Sequence, residues 1–261
     1  MNPQTRERLF GFRHAFDSPL VLGLTVAVAG ILILTPIIFL ILQKAGKLDD
    51  KLRRELWERY VSWLILAPLI IGPVLLGAAA TIVAVTVLSL ICYREYARAT
   101  GFFRERIESA AVVLGILLIN FAAMDHWYAL FAALSPLVVG AIAAVSIVRD
   151  QPKGYIQRVG LGVIAFMLFG VCLGHLSYFA NDGRYRQILF WLILCVEMND
   201  IFAFICGKTI GRRKLAPNTS PNKTVGGAIG AVVLTTLLAA SVERLVFRGT
   251  VLDDWRHAII L

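Results

Sequence analysis

Residues 61–93 read VSWLILAPLIIGPVLLGAAATIVAVTVLSLICY, and the way this apolar run divides decides the topology of the chain. As one helix it would be about 50 Å long at a rise of 1.5 Å per residue, which is too long for a hydrocarbon core of about 30 Å without severe tilt. We therefore predict two short membrane spans, 61–76 and 77–93. The prolines and glycines at which a helix can break are Pro68, Gly72, Pro73 and Gly77.

The distribution of basic residues tests this division independently, because cytoplasmic loops of membrane proteins carry an excess of Lys and Arg. With two spans, four loops share one side and carry 18 Lys and Arg, against seven on the side that includes both termini. With one span, the amino-terminal side carries 12 Lys and Arg in its loops, or 15 with the amino-terminal segment, and the opposite side carries 10. We predict two spans, with the amino terminus outside the cell. The basic loops are 43–60, 94–109, 149–159 and 207–225.

Composition extends the membrane assignment to the whole chain. Hydrophobic residues make up 58% of the 261 residues and charged residues 16%, and the mean hydropathy is +0.75. A soluble protein cannot bury this many apolar segments behind so little polar surface. We predict an all-α, polytopic integral membrane protein with about eight transmembrane helices, forming one membrane domain over residues 1–261. The candidate spans are 19–42, 61–76, 77–93, 110–124, 127–148, 160–180, 188–206 and 226–247.

The connection between the seventh and eighth candidate spans has an unusual composition. Residues 199–227 read NDIFAFICGKTIGRRKLAPNTSPNKTVGG and contain an acid–amide pair, five cations and a turn that opens onto glycines. A loop that only links two membrane helices does not require so many anion-binding side chains. The segment predicts a phosphate-handling enzyme site on the cytoplasmic side of a membrane protein.

Acidic and amide side chains near the end of the seventh span predict a metal site. Glu197 and Asp200 lie three residues apart, so they share a helix face and can bind one divalent cation. Asn199 can add an amide contact. The alternative is that these side chains only solvate the helix end. His175 and Asp125 are weaker candidates, for which we expect a hydrogen-bonded structural role and a turn role, respectively.

The residues that follow predict an anion site. We predict that Pro221 fixes a turn and that Thr224 caps the eighth span, whose first backbone amides are then available to an anion. Lys223 adds a mobile positive charge, and Arg213 can hold phosphate oxygens in a bidentate manner. A basic stop after a membrane helix would explain 212–214 alone, but it does not explain the turn at 220–224.

These residues resemble the phosphatidate cytidylyltransferase (CDP-diacylglycerol synthase) family. The specific resemblance covers about 30 residues, and the spans before it are compatible with the family without being diagnostic. The matching positions are Asn199-Asp200-x-x-Ala203-Phe204, Gly207-Lys208, Gly211, Lys214-Leu215-Ala216-Pro217, Ser220-Pro221-Asn222-Lys223-Thr224 and Gly227.

The resemblance implies transfer of the cytidylyl group from CTP to phosphatidic acid, with Mg²⁺ and room for a second ion. It implies a homodimeric enzyme of the bacterial inner membrane, active at the cytoplasmic face, with membrane lipids and not nucleic acid as partners. Asp200 and Lys223 are then catalytic, and Asp200 and Asn199 hold the metal. The residues expected to bind substrate phosphates are Arg213, Lys214, Ser220, Asn222, Thr224 and Gly227.

Two departures from the family pattern affect these expectations. The family commonly has Thr-Trp-Glu-Gly where this chain has 224–227, so a customary carboxylate is absent. The acidic signature nearer the family's carboxyl end, with Pro-Gly-His-Gly-Gly and Asp-Arg-x-Asp, does not occur before Leu261. Residues 255–261 look like the opening of another span. We expect a truncated family member, or an inactive homologue if the chain is complete.

Other functions remain open at this stage. A related CTP-dependent enzyme that acts on an isoprenoid or archaeal-type lipid would use similar chemistry. A membrane transporter is the alternative outside enzymes, but the spans lack the paired breaks with inward charges that are typical of inverted repeats.

Overall fold

The computed structural model describes residues 3–44, 50–148 and 150–247, and within these ranges the chain is almost entirely helical. The interpretation of 255–261 as the start of another span lies outside the described residues. The α-helices are α1 (Pro3–Phe10), α2 (Pro19–Lys44), α3 (Asp50–Leu76), α4 (Ala78–Thr100), α5 (Arg106–Met124), α6 (Tyr128–Val148), α7 (Tyr155–Ala165), α8 (Leu173–Phe179), α9 (Tyr185–Thr209) and α10 (Val225–Val246). Short 3₁₀ turns occur at Phe12–His14 and Phe102–Arg104, and the strands are β1 (Lys214–Ala216) and β2 (Ser220–Thr224).

Eight helical stretches of the described chain are long and apolar enough to cross a membrane. They correspond to the eight predicted spans, and the predicted all-α, polytopic membrane architecture is confirmed. The sixth span, Tyr155–Phe179, consists of α7, a π-helical segment at Phe166–Cys172 and α8. Helices suit this setting because each one satisfies its own backbone hydrogen bonds, which the hydrocarbon core cannot do.

The apolar run 61–93 is divided at Gly77, as the two-span prediction requires. α3 ends at Leu76 and α4 begins at Ala78. Gly77 has a φ of 142° and a ψ of 172°, a conformation that is essentially restricted to glycine. A Cβ atom there would lie 2.5 Å from the Leu9 carbonyl oxygen. The two prolines of the run lie inside α3, so the break results from glycine and not from proline.

The third helix begins earlier than its predicted span. α3 starts at Asp50, eleven residues before the predicted span 61–76. The residues from 50 to 60 include several good helix formers, and the charged side chains from 53 to 59 suit the end of a helix that extends into water. The apolar part of α3 still corresponds to the predicted span.

The chain forms two compact units. The first unit comprises Met1–Ala15 and Leu32–Tyr185, and its core is built around α5. Val112, Ile116 and Ile119 of α5 are completely buried. Phe166, at the start of the π-helical segment, packs against Gly115, where a Cβ atom would lie 2.8 Å from the Phe166 ring.

The second unit comprises Phe16–Ile31 and Arg186–Leu261, of which the structure describes the part up to residue 247. It contains α9, the two strands, α10 and the first half of α2. Trp191, Ala239 and Val246 are the buried residues of its apolar cluster, and the Trp191 ring meets Phe247 edge-on at 5.8 Å. The prediction of a single membrane domain over residues 1–261 stays a prediction.

A glycine pair tests the account of the break between α3 and α4. We expect Gly77→Ala to lower the free energy of unfolding by about 1–3 kcal/mol, because alanine is strained in this conformation. Gly72→Ala is the matched control, since a Cβ atom at Gly72 meets nothing within 4 Å. Thermal unfolding of the two variants in detergent provides the comparison. Equal melting temperatures would contradict the assignment of the break to Gly77.

Candidate functional site

A β-hairpin joins α9 to α10 and differs in one respect from the sequence prediction. β1 and β2 pair in antiparallel fashion, with Lys214 opposite Thr224 and Ala216 opposite Ser220. The predicted turn at 220–224 is wrong, because these residues form β2 and the turn lies at 217–219. Two steps along β1 correspond to four along β2, so β2 bulges between its paired ends. A bulge leaves backbone groups unpaired, which explains why Pro221 is tolerated in a strand.

The predicted helix cap is confirmed. Thr224 has an extended backbone, and its hydroxyl oxygen accepts a hydrogen bond of 3.1 Å from the Gly227 backbone N–H. Thr224 is also buried, so α10 begins at a fixed point behind the hairpin. The first backbone amides of α10 carry the partial positive charge of a helix N-terminus.

Glycines allow the end of α9 and the start of α10 to approach each other closely. A Cβ atom at Gly227 would lie 2.8 Å from the Ala203 carbonyl oxygen and 3.1 Å from the Gly207 Cα atom. A Cβ atom at Gly211 would collide with the Thr224 side chain. This close approach leaves the polar side chains of both helix ends lining the same space.

That space is a cavity of about 860 Å³, which we call the hairpin cavity. All of the residues predicted to bind metal or phosphate line it except Arg213 and Glu197. The predicted residues in its wall are Asn199, Asp200, Lys214, Ser220, Asn222, Lys223, Thr224 and Gly227. The structure thus brings together residues that are up to 28 positions apart in the sequence, although their roles stay predictions.

Lys208 and Phe204 also line the hairpin cavity, and they were not among the predicted site residues. The Lys208 ammonium group lies 4.4 Å from the centroid of the Phe204 ring, a cation–π contact. A signal was available in the sequence, because Asp200, Phe204 and Lys208 are spaced by four residues and so share one helix face. With Lys214 and Lys223, the cavity carries three cations and one carboxylate.

Arg213 and Glu197 do not line the cavity. The Arg213 side chain is exposed, and its carbonyl oxygen accepts a 2.9 Å hydrogen bond from Val225 N–H. This bond makes the backbone of Arg213 part of the hairpin base. Glu197 is half-buried outside the cavity wall, although it lies three residues from Asp200.

The two weaker candidates, His175 and Asp125, have structural roles. A ring nitrogen of His175 is hydrogen-bonded to the Val171 carbonyl oxygen at 2.8 Å, and Asp125 caps the end of α5.

The donor set of the cavity fits a magnesium ion. Within the described ranges no group of three or more His, Cys, Asp or Glu side chains can hold a metal. Mg²⁺ is, however, usually held by one or two carboxylates together with substrate phosphates. Asp200 offers one carboxylate, and the neighbouring Asn199 offers an amide oxygen that accepts a 3.3 Å hydrogen bond from the Thr235 hydroxyl.

The cap at the start of α10 allows a stability test of the site's scaffold. We expect Thr224→Val to lower the free energy of unfolding by about 1 kcal/mol, because valine keeps the shape but cannot accept the Gly227 hydrogen bond. Thr224→Ser keeps the hydroxyl, so its free energy of unfolding is expected to remain closer to that of the wild type. Thermal unfolding measures both variants, and a serine variant as unstable as the valine variant would contradict a capping role.

The chain matches the model of the cytidylyltransferase family over residues 57–259. It is 25% identical over 166 residues to the uncharacterized protein YnbB of Escherichia coli (strain K12), covering 62% of this chain and 54% of the relative. It is 27% identical over 141 residues to the phosphatidate cytidylyltransferase of Bacillus subtilis (strain 168), covering 51% and 52%. It is 42% identical over 94 residues to the phosphatidate cytidylyltransferase of Saccharomyces cerevisiae, covering 32% and 20%.

The chain thus spans about half the length of the first two of these relatives. No solved structure matches it significantly. The family match covers most of the chain, including α9, the hairpin and α10, and the chain belongs to the cytidylyltransferase family.

Proposed function

We propose that this protein transfers the cytidylyl group of CTP to phosphatidic acid, giving CDP-diacylglycerol and pyrophosphate. The observation that carries the proposal is the hairpin cavity, in which three lysines and the capped start of α10 face an aspartate and an asparagine. The family match and the names of the relatives favour cytidylyl transfer, and the membrane spans favour a lipid acceptor.

The positive groups of the cavity suit a nucleoside triphosphate. Lys208, Lys214 and Lys223 supply three mobile ammonium groups, which can follow the oxygens of a flexible polyphosphate chain. The α10 amides add fixed donors beside them. We assign the phosphates of CTP to this wall of the cavity, with Ser220, Asn222 and Thr224 as further polar contacts.

The negative and amide groups form the other part of the proposed site. Asp200 and Asn199 would hold Mg²⁺, which when bound neutralises phosphate charge and favours departure of pyrophosphate. In the reaction, an oxygen of the lipid phosphate forms a bond to the α-phosphorus of CTP. The bond from that phosphorus to the oxygen bridging to the β-phosphorus breaks, and its electron pair leaves with pyrophosphate. The contribution of the chain is positioning and charge neutralisation.

The setting of the reaction is also part of the proposal. The excess of basic residues in the loops on the same side as the hairpin favours a cytoplasmic location of the cavity. We propose that the protein acts at the cytoplasmic face of a bacterial inner membrane as a homodimer. The acyl chains of phosphatidic acid would remain in the bilayer, while its head group meets CTP at the interface.

Replacing Lys223 tests the proposed site. We expect Lys223→Gln to weaken CTP binding and CDP-diacylglycerol formation by about 10- to 100-fold, because a charge-assisted contact to phosphate is lost. Arg212→Gln is the matched control, since it removes an exposed charge from the same connection but lies outside the cavity wall. Binding of CTP by calorimetry and release of pyrophosphate with phosphatidic acid provide the two measurements.

Two outcomes would contradict the proposal. Equal losses of CTP binding in Lys223→Gln and Arg212→Gln would show that the basic segment attracts CTP without a defined site. Product formation from an isoprenoid phosphate but not from phosphatidic acid would assign the protein to a different lipid substrate.

A second experiment concerns the predicted metal ligand Asn199, whose amide oxygen is oriented by Thr235. We expect Thr235→Val to raise the Mg²⁺ concentration needed for half-maximal CTP binding by about tenfold, as removal of a partner that orients a metal ligand typically does. Thr235→Ser keeps the hydroxyl and should preserve the wild-type Mg²⁺ requirement. A loss of thermal stability in Thr235→Val with an unchanged Mg²⁺ requirement would contradict this orienting role.

A further inference from the structure

A second recess lies in the first compact unit, between the end of α4 and the start of α5. It is a groove of about 530 Å³, bounded on one side by the 3₁₀ turn at Phe102–Arg104, and we call it the arginine groove. Arg94 and Arg98 of α4 line its mouth, and Leu90, Phe103 and Val113 provide apolar walls. The groove therefore offers positive charge and apolar surface to the same ligand.

The mouth of the groove carries a modest net positive charge. Arg98 lies 3.5 Å from Glu95, but both side chains are more than half exposed, so this ion pair is weak and leaves Arg98 available. Arg94 is exposed as well. Arg104, in the turn that bounds the groove, is exposed too, so these four side chains have a net charge of +2 and favour an anionic head group.

The apolar wall continues beyond the groove along both helices. Val87 and Val83 lie about one and two helical turns before Leu90, and their side chains are 48% and 54% exposed. Leu117 follows Val113 by one turn of α5 and is 43% exposed. A ligand with a long apolar chain can therefore keep its charged group at the arginines while its chain runs along the membrane-spanning parts of α4 and α5.

The base of the groove is held by a hydrogen bond. The Tyr93 hydroxyl lies 2.5 Å from the Ser109 hydroxyl oxygen and joins α4 to α5 directly behind the arginines. Tyr93 is buried, and the neighbouring Ala97 leaves space because its side chain is small. The groove is thus formed before any ligand arrives, which lowers the entropic cost of binding.

We propose that the arginine groove binds one anionic phosphodiester lipid of the surrounding bilayer. Its phosphate lies between Arg94 and Arg98, and one acyl chain follows Leu90 and Val87 towards the membrane interior. The guanidinium groups suit this role because each one presents a planar pair of donors to phosphate oxygens. The proposal concerns the first compact unit and does not depend on the activity proposed for the hairpin cavity.

Photolabelling of the full chain tests this site. The protein is placed in phosphatidylcholine nanodiscs that contain a small fraction of phosphatidylglycerol with a diazirine on its acyl chain, without nucleotide. Labelled positions are identified by mass spectrometry. We expect labelling on α4 near Val87 and Leu90 and on α5 near Val113. The double variant Arg94→Gln, Arg98→Gln should reduce it by about tenfold or more, because two interfacial cations are lost.

Two further double variants separate a defined site from general attraction. Lys44→Gln with Arg54→Gln removes the same charge from exposed positions outside the groove, and labelling should stay within about twofold of the wild type. Arg94→Lys with Arg98→Lys keeps the charge but not the guanidinium geometry, and an intermediate loss is expected. Thermal unfolding of each variant confirms that the fold is retained.

Several results would overturn the proposal. Equal losses of labelling in the Arg94→Gln, Arg98→Gln variant and in the Lys44→Gln, Arg54→Gln control would mean that the anionic lipid is attracted by general surface charge and not by the groove. Equal labelling by a diazirine phosphatidylcholine would mean that the head-group charge is not recognised. Much stronger competition by phosphatidic acid than by unlabelled phosphatidylglycerol would mean that the groove selects phosphomonoester lipids instead.

Discussion

The requirement that backbone polar groups be satisfied inside the hydrocarbon core governs the structure. It restricts the spanning parts of the described chain to helices, and it confines irregular backbone to places where water or protein groups can satisfy it. Gly77 and the hairpin 214–224 are two such places. At Gly77 the interruption is a single residue, and the helix resumes at once. The hairpin instead exposes backbone and polar side chains over a longer stretch, which allows a cavity with chemically useful groups to form there.

Glycine spacing determines how close the two helix ends beside the hairpin can come. Gly207 and Gly227 bring the α9 and α10 backbones into direct contact, and a Cβ atom at Gly227 would collide with the Ala203 carbonyl oxygen. The short distance matters for electrostatics, since Asp200 and the lysines then share one cavity. A wider separation of the helices would move these charges apart, and the attraction between them falls with distance.

The sequence allowed a large part of this arrangement to be predicted, for identifiable physical reasons. Eight spans and the break in 61–93 follow from apolar length and from the permissive backbone of glycine, and Thr224 follows from the preference of threonine for helix starts. The strand at 220–224 was missed because proline normally argues against a strand, and a bulge cannot be read from composition. Arg213 was placed at the site because of its charge, but the backbone of the hairpin base turns it away from the cavity.

The two charged recesses use different cations, and the difference agrees with the ligands proposed for them. The hairpin cavity uses lysines, a helix N-terminus and an aspartate, groups that can adapt to a flexible polyphosphate and share it with a metal ion. The arginine groove instead combines two guanidinium groups with apolar walls and contains no carboxylate in its lining. A metal-bound nucleotide would gain little binding free energy there, because apolar surface cannot replace the water around its phosphates and its ion. A lipid gains binding free energy from both the guanidinium groups and the apolar walls, since its phosphate and its hydrocarbon chain are covalently joined and contact both at once.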